Sequence, residues 1–141
     1  MMDVVKVADY IAMRCEANRN PISNAKLNYI LYFVRDEFGF RFHKEIFPKG
    51  NMLGPRPSFH EAYLAFKSFG AMPIKRDLLK AQREEKEKYI LDHLKENEQC
   101  ALNRTVDFYA KKTMGQLYLM YENSKPSEWK VGGKKYNEAF V

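Results

Sequence analysis

The pattern of apolar and polar residues predicts a chain built mostly from helices. The densest apolar run lies between Pro21 and Phe38, and Ser23 at its start is a residue type that caps helix N-termini. One face of this second helix carries large apolar side chains at helical spacing, as expected for a helix packed on a core. These residues are Leu27, Ile30, Leu31, Val34 and Phe38.

The opposite face of this helix is aromatic, with Tyr29, Tyr32 and Phe33. A helix that is apolar on two faces is either sandwiched between other helices or exposes one face to a partner. Both interpretations stay open from the sequence.

Two further helices are predicted in the first half of the chain. Asp3 is suited to cap a first helix that ends near Asn18. Ser58 and Glu61 have the spacing of a capping box, which predicts a third helix that ends close to Gly70.

The second half of the chain predicts three more helices. Asp77 is expected to cap a long charged helix that runs toward Asn97. Apolar residues at helical spacing indicate a fifth helix over 102–110. Thr113 and Gln116 form a second capping box at the start of the sixth.

A change of pattern after the second helix predicts β structure. Alternating aromatic and polar residues between Phe40 and Met52 indicate a small β-hairpin. Proline and glycine punctuate 49–57, so this segment is expected to be a loop in which Gly54 and Pro55 shape a turn. The predicted fold is therefore mainly α, a compact bundle of five or six helices around a central apolar helix, with the hairpin as an appendage.

Three motifs of the chain occur in the order seen in a known family. The string PISNAKLNYILYFV is followed by LGP and then by AYLAFKSFG. In this order the motifs resemble the Panacea-domain (SocA-like) antitoxin family, although Leu53 stands where that family usually has a tyrosine. The matching residues are Pro21, Ile22, Ser23, Lys26, Leu27, Ile30, Leu31, Tyr32, Phe33, Gly54, Pro55, Tyr63, Phe66, Lys67, Phe69 and Gly70.

The resemblance implies an antitoxin that neutralises a cognate toxin protein by direct contact, in a toxin–antitoxin system of phage or prophage origin. Three other functions remain open: an adaptor that delivers a partner to a protease, a nucleic-acid-binding regulator, and an inhibitor of a host defence system. The resemblance also implies a helical body with a small hairpin appendage.

Composition sets the class of protein. A length of 141 residues, with 45% hydrophobic and 30% charged residues, predicts one soluble globular domain over 1–141. No apolar run approaches the ~20 residues of a membrane helix, and the N-terminus lacks a signal core, so a cytoplasmic protein with no membrane partner is expected. Residues 125–141 are expected to form a loosely ordered tail, pinned by Trp129.

The net charge of +6 allows an anionic partner. Nucleic acid is possible, but acidic and basic residues are mixed along the chain. A helix-turn-helix is also disfavoured because the outward side of the second helix would be aromatic rather than polar. Either an acidic protein partner or weak nonspecific nucleic-acid contact remains open.

No pattern in the chain indicates catalysis. His43, His60 and His93 lack metal-ligand spacing, and Gly132-Gly133-Lys134 lacks the rest of a phosphate-binding loop. A non-enzyme with no cofactor and no metal is therefore expected. The two cysteines, at positions 15 and 100, are expected to be reduced and structural.

Two apolar patches are candidate partner-binding surfaces. The first is the aromatic side of the second helix, and the second is the glycine–proline turn with the helix after it. The turn is favoured because it is expected to be exposed and rigid, although Phe59 and Tyr63 could simply pack on the second helix. Arg56, His60 and Lys67 would suit an acidic partner. The candidate residues are Leu53, Gly54, Pro55, Arg56, Phe59, His60 and Tyr63 at the turn, and Tyr29, Tyr32 and Phe33 on the helix.

Overall fold

A computed structural model describes residues 1–125, and helices dominate this part of the chain. The prediction of a mainly α fold with five or six helices is confirmed, whereas Trp129 and most of the predicted tail lie outside the described residues. The six helices are α1 (Val4–Ala17), α2 (Asn24–Phe42), α3 (His60–Ala65), α4 (Lys80–His93), α5 (Glu96–Ala110) and α6 (Met114–Ser124), and a 3₁₀ turn (Lys67–Phe69) follows α3.

Three predicted N-caps are formed by side chains. The Asp3 carboxylate accepts a hydrogen bond from the backbone amide of Val5 at 2.8 Å, and Ser23 Oγ accepts one from Lys26 at 3.2 Å. At α6, Thr113 and Gln116 each accept a hydrogen bond from the other's backbone amide, at 3.1 and 2.9 Å. These caps satisfy amides that a helix N-terminus would otherwise leave without acceptors.

The predicted β-hairpin is wrong, because α2 continues through Phe42 and residues 1–125 contain no strand. The rings of Phe38 and Phe42 pack one helical turn apart, with centroids 5.1 Å apart. Glu37 and Arg41 form an ion pair at the same spacing. His43 then ends the helix in the left-handed conformation and donates its amide to the carbonyl of Phe38.

The segment after α2 is extended but irregular. Ile46 and Phe47 are fully buried in it, and the carbonyl of Ile46 accepts a hydrogen bond from the amide of Met2 at 2.8 Å. Within the described residues the only β-type pairing is an isolated antiparallel bridge between Asn51 and Ser58. Of the residues whose alternation predicted strands, Phe40 and Phe42 thus lie in α2, and Ile46 and Phe47 are buried side by side in the loop.

Helix α2 contacts α1, α3, α5 and α6. Its aliphatic face is buried, with Leu27, Ile30 and Leu31 fully inaccessible. On its other face, Phe33 stacks on Tyr109 of α5 with ring centroids 4.0 Å apart. Both apolar faces are thus covered by other helices.

The start of α3 departs from the capping-box prediction. Phe59 is the N-cap, and no side chain caps this helix. Ser58 instead uses its backbone amide and carbonyl in the bridge to Asn51. The helix has six residues before the 3₁₀ turn, and Gly70 follows with a positive φ of 57°, which favours glycine.

The prediction that Asp77 caps α4 is also wrong, because a tertiary contact holds this residue. The two oxygens of the Glu16 carboxylate accept hydrogen bonds from the amides of Arg76 and Asp77, each at 3.0 Å. Asp77 adopts a positive φ of 48°, and the Arg76 guanidinium also binds Asp9. Helix α4 consequently begins at Lys80, where Gln82 Oε1 accepts the amide of Leu79 at 2.8 Å.

The charged helix predicted to run toward Asn97 divides at Leu94. Glu98 explains the break, because its buried carboxylate accepts the amide of Lys95 at 2.9 Å and the ammonium of Lys44 at 3.2 Å. Burial alone would raise the pKa of Glu98, but these two donors hold it below its ordinary value. The carboxylate therefore starts α5 and ties it to the segment after α2.

A Leu31→Ala substitution tests the packing of α2. Leu31 has no accessible surface, so we expect the change to lower the free energy of unfolding by ~2 to 5 kcal/mol in a denaturant titration. Leu119→Ala is the control, because Leu119 is 60% exposed and its loss should cost under ~0.5 kcal/mol. Equal costs for the two variants would contradict the burial of α2.

The two cysteines are expected to differ in reactivity. Cys15 is buried, and burial raises its pKa to about 12, so almost none of it is thiolate at neutral pH. Cys100 is exposed, so only Cys15 has the buried position typical of a structural cysteine. A thiol reagent should modify one cysteine per folded chain and two after unfolding. Two fast-reacting thiols in the folded protein would show that Cys15 is accessible.

Candidate functional site

The aromatic face of α2 is not a surface. Tyr29 and Phe33 are only 1% and 5% exposed. Tyr32 is half-buried, and its hydroxyl lies 2.5 Å from Ser124 Oγ of α6. The structure therefore supports the sandwiched interpretation and leaves Tyr29 and Phe33 no surface for a partner.

The second candidate surface is carried by a closed loop. Asn51 and Ser58 exchange two backbone hydrogen bonds at its base, at 2.7 and 2.9 Å. The Asn51 side chain accepts a further hydrogen bond from the amide of Leu53 at 3.0 Å. Gly50 is required by the close approach of the two ends, since a Cβ there would lie 2.6 Å from the Ser58 carbonyl oxygen. These contacts fix the ends of the loop relative to each other.

Helix α6 holds the loop from one side. The hydroxyl of Tyr121 donates a hydrogen bond to the carbonyl of Met52 at 2.8 Å. The ammonium of Lys125 donates to the carbonyl of Gly54 at 3.2 Å and lies 4.7 Å from the centroid of the Tyr121 ring. Burial raises the pKa of Tyr121, so its hydroxyl keeps the proton that it donates.

Helix α2 holds the loop from the other side through a buried side-chain amide. Asn28 Oδ1 accepts a hydrogen bond from the amide of Phe59 at 2.8 Å. Asn28 Nδ2 donates to the carbonyl of Asn24 at 2.9 Å, and Asn24 Nδ2 donates to the carbonyl of Tyr63. The pair thus fixes both the end of the loop and the backbone of α3.

The candidate residues that are exposed on the loop and on α3 form what we call the turn surface. Leu53 is 71% exposed and Tyr63 is 43% exposed. Phe59 is 2% exposed and packs edge-on against Phe47 with ring centroids 5.4 Å apart, so its role is in the core. Gly54 is half-buried. The turn surface consists of Leu53, Pro55, Arg56, His60 and Tyr63.

The turn surface is apolar and carries the positive charge of Arg56, while exposed Glu61 adds a carboxylate beside His60 on α3. Within residues 1–125, neither Arg56 nor His60 forms an ion pair with a carboxylate. Burial raises the pKa of Tyr29, whereas the nearby charge of Arg56 acts to lower it, which places Arg56 within electrostatic range of α2. A cleft of about 490 Å³ adjoins the surface, with Phe59 and His60 in its lining.

Metal-binding clusters and membrane-spanning helices are absent from the described residues. In residues 1–125 no three side chains of metal-binding type converge on one point. Nor does this part of the chain hold a helix with the length and apolarity needed to cross a membrane. What the turn surface offers is shape, apolar area and charge.

The residues that hold the turn were not identified from the sequence. Asn24 and Asn28 are polar residues one helical turn apart within an apolar helix, and this pattern could have marked them. Tyr121 and Lys125 carry no local signal, because their contacts are made with residues about 70 positions earlier.

Comparison with known proteins yields no relative. No family model matches the chain, and searches of curated proteins and of solved structures give no match either. Arguments about function therefore depend on the motifs and on the turn surface.

The hold of α2 on the loop can be tested by Asn28→Ala. The substitution leaves the buried amide of Phe59 without an acceptor, which should destabilise the protein by ~1 to 3 kcal/mol in a denaturant titration. Asn123→Ala, at an exposed position of α6, is the control and should cost under ~0.5 kcal/mol. If Asn28→Ala were as mild as its control, the amide would not hold the loop.

Proposed function

We propose that this protein is an antitoxin-like protein that neutralises a cognate toxin by direct protein–protein contact through the turn surface. The toxin is expected to be encoded beside it in a phage- or prophage-derived toxin–antitoxin system. The protein acts by binding, without catalysis and without a cofactor.

The order of the sequence motifs supports this proposal. The helix motif beginning at Pro21, the Gly54-Pro55 turn and the motif ending at Gly70 resemble the Panacea-domain antitoxins in that order. In the structure, Asn28 of the first motif accepts the amide of Phe59, at the end of the loop that carries the second motif, and Asn24 donates to the carbonyl of Tyr63 in the third. Motifs separated in sequence thus meet at one surface.

The observation that carries the proposal is the combination of exposure and fixed backbone at the turn. Leu53 is 71% exposed, although hydrogen bonds to the carbonyls of Met52 and Gly54 fix the backbone on either side of it. A partner that docks there orders little further chain, so less of the binding free energy is lost to entropy. An exposed leucine on a fixed turn is a suitable anchor for a partner pocket.

The chemistry of the turn surface indicates the kind of toxin face that fits. Arg56 and His60 flank the apolar anchor, and Lys67 is exposed just beyond α3. An apolar pocket with a carboxylate-bearing rim would complement these groups. The toxin is therefore expected to present an acidic surface.

Co-expression with the neighbouring gene tests the function directly. We expect the product of that gene to arrest growth alone and to be harmless when this protein is present. A neighbour that is harmless alone, or that is toxic in both cases, would contradict the proposal. A fall in partner abundance that requires a host protease would instead identify this protein as an adaptor.

Charge reversal at the turn surface tests the site. Arg56→Glu with His60→Glu should weaken binding to the toxin at least tenfold, or about 1.4 kcal/mol, and reduce growth rescue. Binding is measured by calorimetry. The melting temperature should change little, because both side chains are exposed.

The matched control reverses two exposed charges elsewhere, Lys75→Glu with Lys95→Glu. With His60 neutral it lowers the net charge by 4, one more than the 3 of the Arg56 and His60 variant, and it should still leave binding within about threefold of wild type. Equal loss in both variants would mean that net charge alone guides the association. Full binding by the Arg56 and His60 variant would place the interface elsewhere.

A further inference from the structure

Helix α5 carries a second exposed face, distinct from the turn surface. Buried residues such as Leu102 and Val106 line its inner side, and Asp107 faces α1. Exposed residues recur every three or four positions along the outer side. We call this set the α5 stripe: Asn97, Cys100, Arg104, Phe108 and Lys111.

The α5 stripe contains no acidic residue. Asp107, next to Phe108 in sequence, is already bound by Arg14 through two hydrogen bonds of 2.9 and 2.8 Å, whereas exposed Glu96 lies beside Asn97, at the end of the stripe far from Lys111. Among the described residues, neither Arg104 nor Lys111 forms an ion pair. By contrast, the outer side of α4 pairs its own charges, for example Lys88 with Asp92. Arg104 and Lys111 therefore have no ion-pair partner within residues 1–125.

More positive charge gathers at the C-terminal end of the stripe. The ammonium of Lys112 lies 4.5 Å from the centroid of the Phe108 ring. Asn20 donates a hydrogen bond to the carbonyl of Ala110 at 3.0 Å, which brings the turn between α1 and α2, and with it Arg19, to this end of α5. Arg19 is exposed and also lacks an ion pair among the described residues.

We propose that the α5 stripe binds single-stranded nucleic acid without sequence preference. Arg104 and Lys111 are about 10 Å apart along the helix axis, and each would contact a phosphate. Lys112 would contact a third phosphate after its ammonium moves away from the Phe108 ring. Phe108, 49% exposed between them, would stack on an unpaired base. This activity goes beyond the proposed function and does not depend on it.

The composition of the stripe favours nucleic acid over an acidic protein. A stable protein interface buries about 800 Å² per partner, and more than half of that area is usually apolar. Phe108 is the only large apolar side chain on the stripe, too little to anchor such an interface. The ring also distinguishes single strands from duplexes, because duplex bases stack on one another and offer no free face to a side chain.

Fluorescence anisotropy with a labelled oligothymidylate of about 12 nucleotides tests the proposal. If three phosphates are contacted, a plot of the logarithm of the affinity against the logarithm of the salt concentration should have a slope near −2. The affinity should then fall about 16-fold between about 50 and about 200 mM salt. Arg104→Gln with Lys111→Gln should lower the affinity about tenfold and reduce the slope to about −0.7.

The contribution of Phe108 is tested separately. Phe108→Ala should weaken binding about fivefold or more, whereas Phe108→Tyr keeps the ring and should bind as wild type does. The charge control is Lys6→Gln with Lys67→Gln, which removes two exposed lysines on other elements. We expect this control to change the affinity less than about twofold.

Several results would overturn the proposal. The first is no binding at low salt. The second is an equal loss of affinity in the charge control and in the variant that replaces Arg104 and Lys111. The others are an unchanged affinity in Phe108→Ala and tighter binding to a duplex of the same length. Polyglutamate that competes as well as the oligonucleotide would also overturn it, in favour of an acidic protein partner. Unchanged melting temperatures in all variants ensure that a loss of binding is not a loss of folding.

Discussion

The burial of both apolar faces of α2 is the constraint on which the rest of this structure depends. Each large side chain that leaves water on folding contributes about 1.5 to 3 kcal/mol, and α2 buries such residues on opposite sides. A helix of this kind has no stable position at a surface. Helices α1 and α3 contact it, as do α5 and α6, and Phe33 and Tyr109 stack where α2 meets α5.

The turn surface follows from this arrangement. Because α6 packs on the aromatic face of α2, the hydroxyl of Tyr121 and the ammonium of Lys125 reach the loop that ends at Ser58. Asn28 supplies the third contact from within α2. A buried polar group without a partner is costly, so each of these hydrogen bonds favours one backbone conformation of the loop. The apolar side chain of Leu53 then remains in solvent, which we interpret as the mark of a binding surface.

Local interactions explain which parts of the fold could be predicted from the sequence. The caps formed by Asp3, Ser23 and Thr113 depend on residues two or three positions away, and all three were predicted. The start of α4 was missed because a distant residue determines it, and the break at Leu94 combines a local cap, Glu98 on the amide of Lys95, with a distant contact. Glu98 binds Lys44 across 54 positions of sequence, and Glu16 binds the amide of Asp77 across 61.

The same distinction applies to the candidate site. Gly54 and Pro55 predicted a turn, and five of the candidate partner-binding residues are exposed on the turn surface. The sequence alone could not decide between two positions for the aromatic face of α2, because the answer depends on where α5 and α6 pack. Phe42 shows a related limit, since its ring favours a strand locally but packs on Phe38 in the extended helix.

The central claim is that a loop with a fixed backbone presents the turn surface to a partner. Hydrogen exchange of the backbone amides tests it most directly, when measured on the free protein and on the complex that it forms with the product of the neighbouring gene. The account predicts that the amides of Ser58 and Phe59 are already protected in the free protein, because both are hydrogen-bonded. It also predicts that binding adds protection around Leu53 and Arg56. Rapid exchange at Ser58 and Phe59 in the free protein, or new protection confined to other helices, would contradict it.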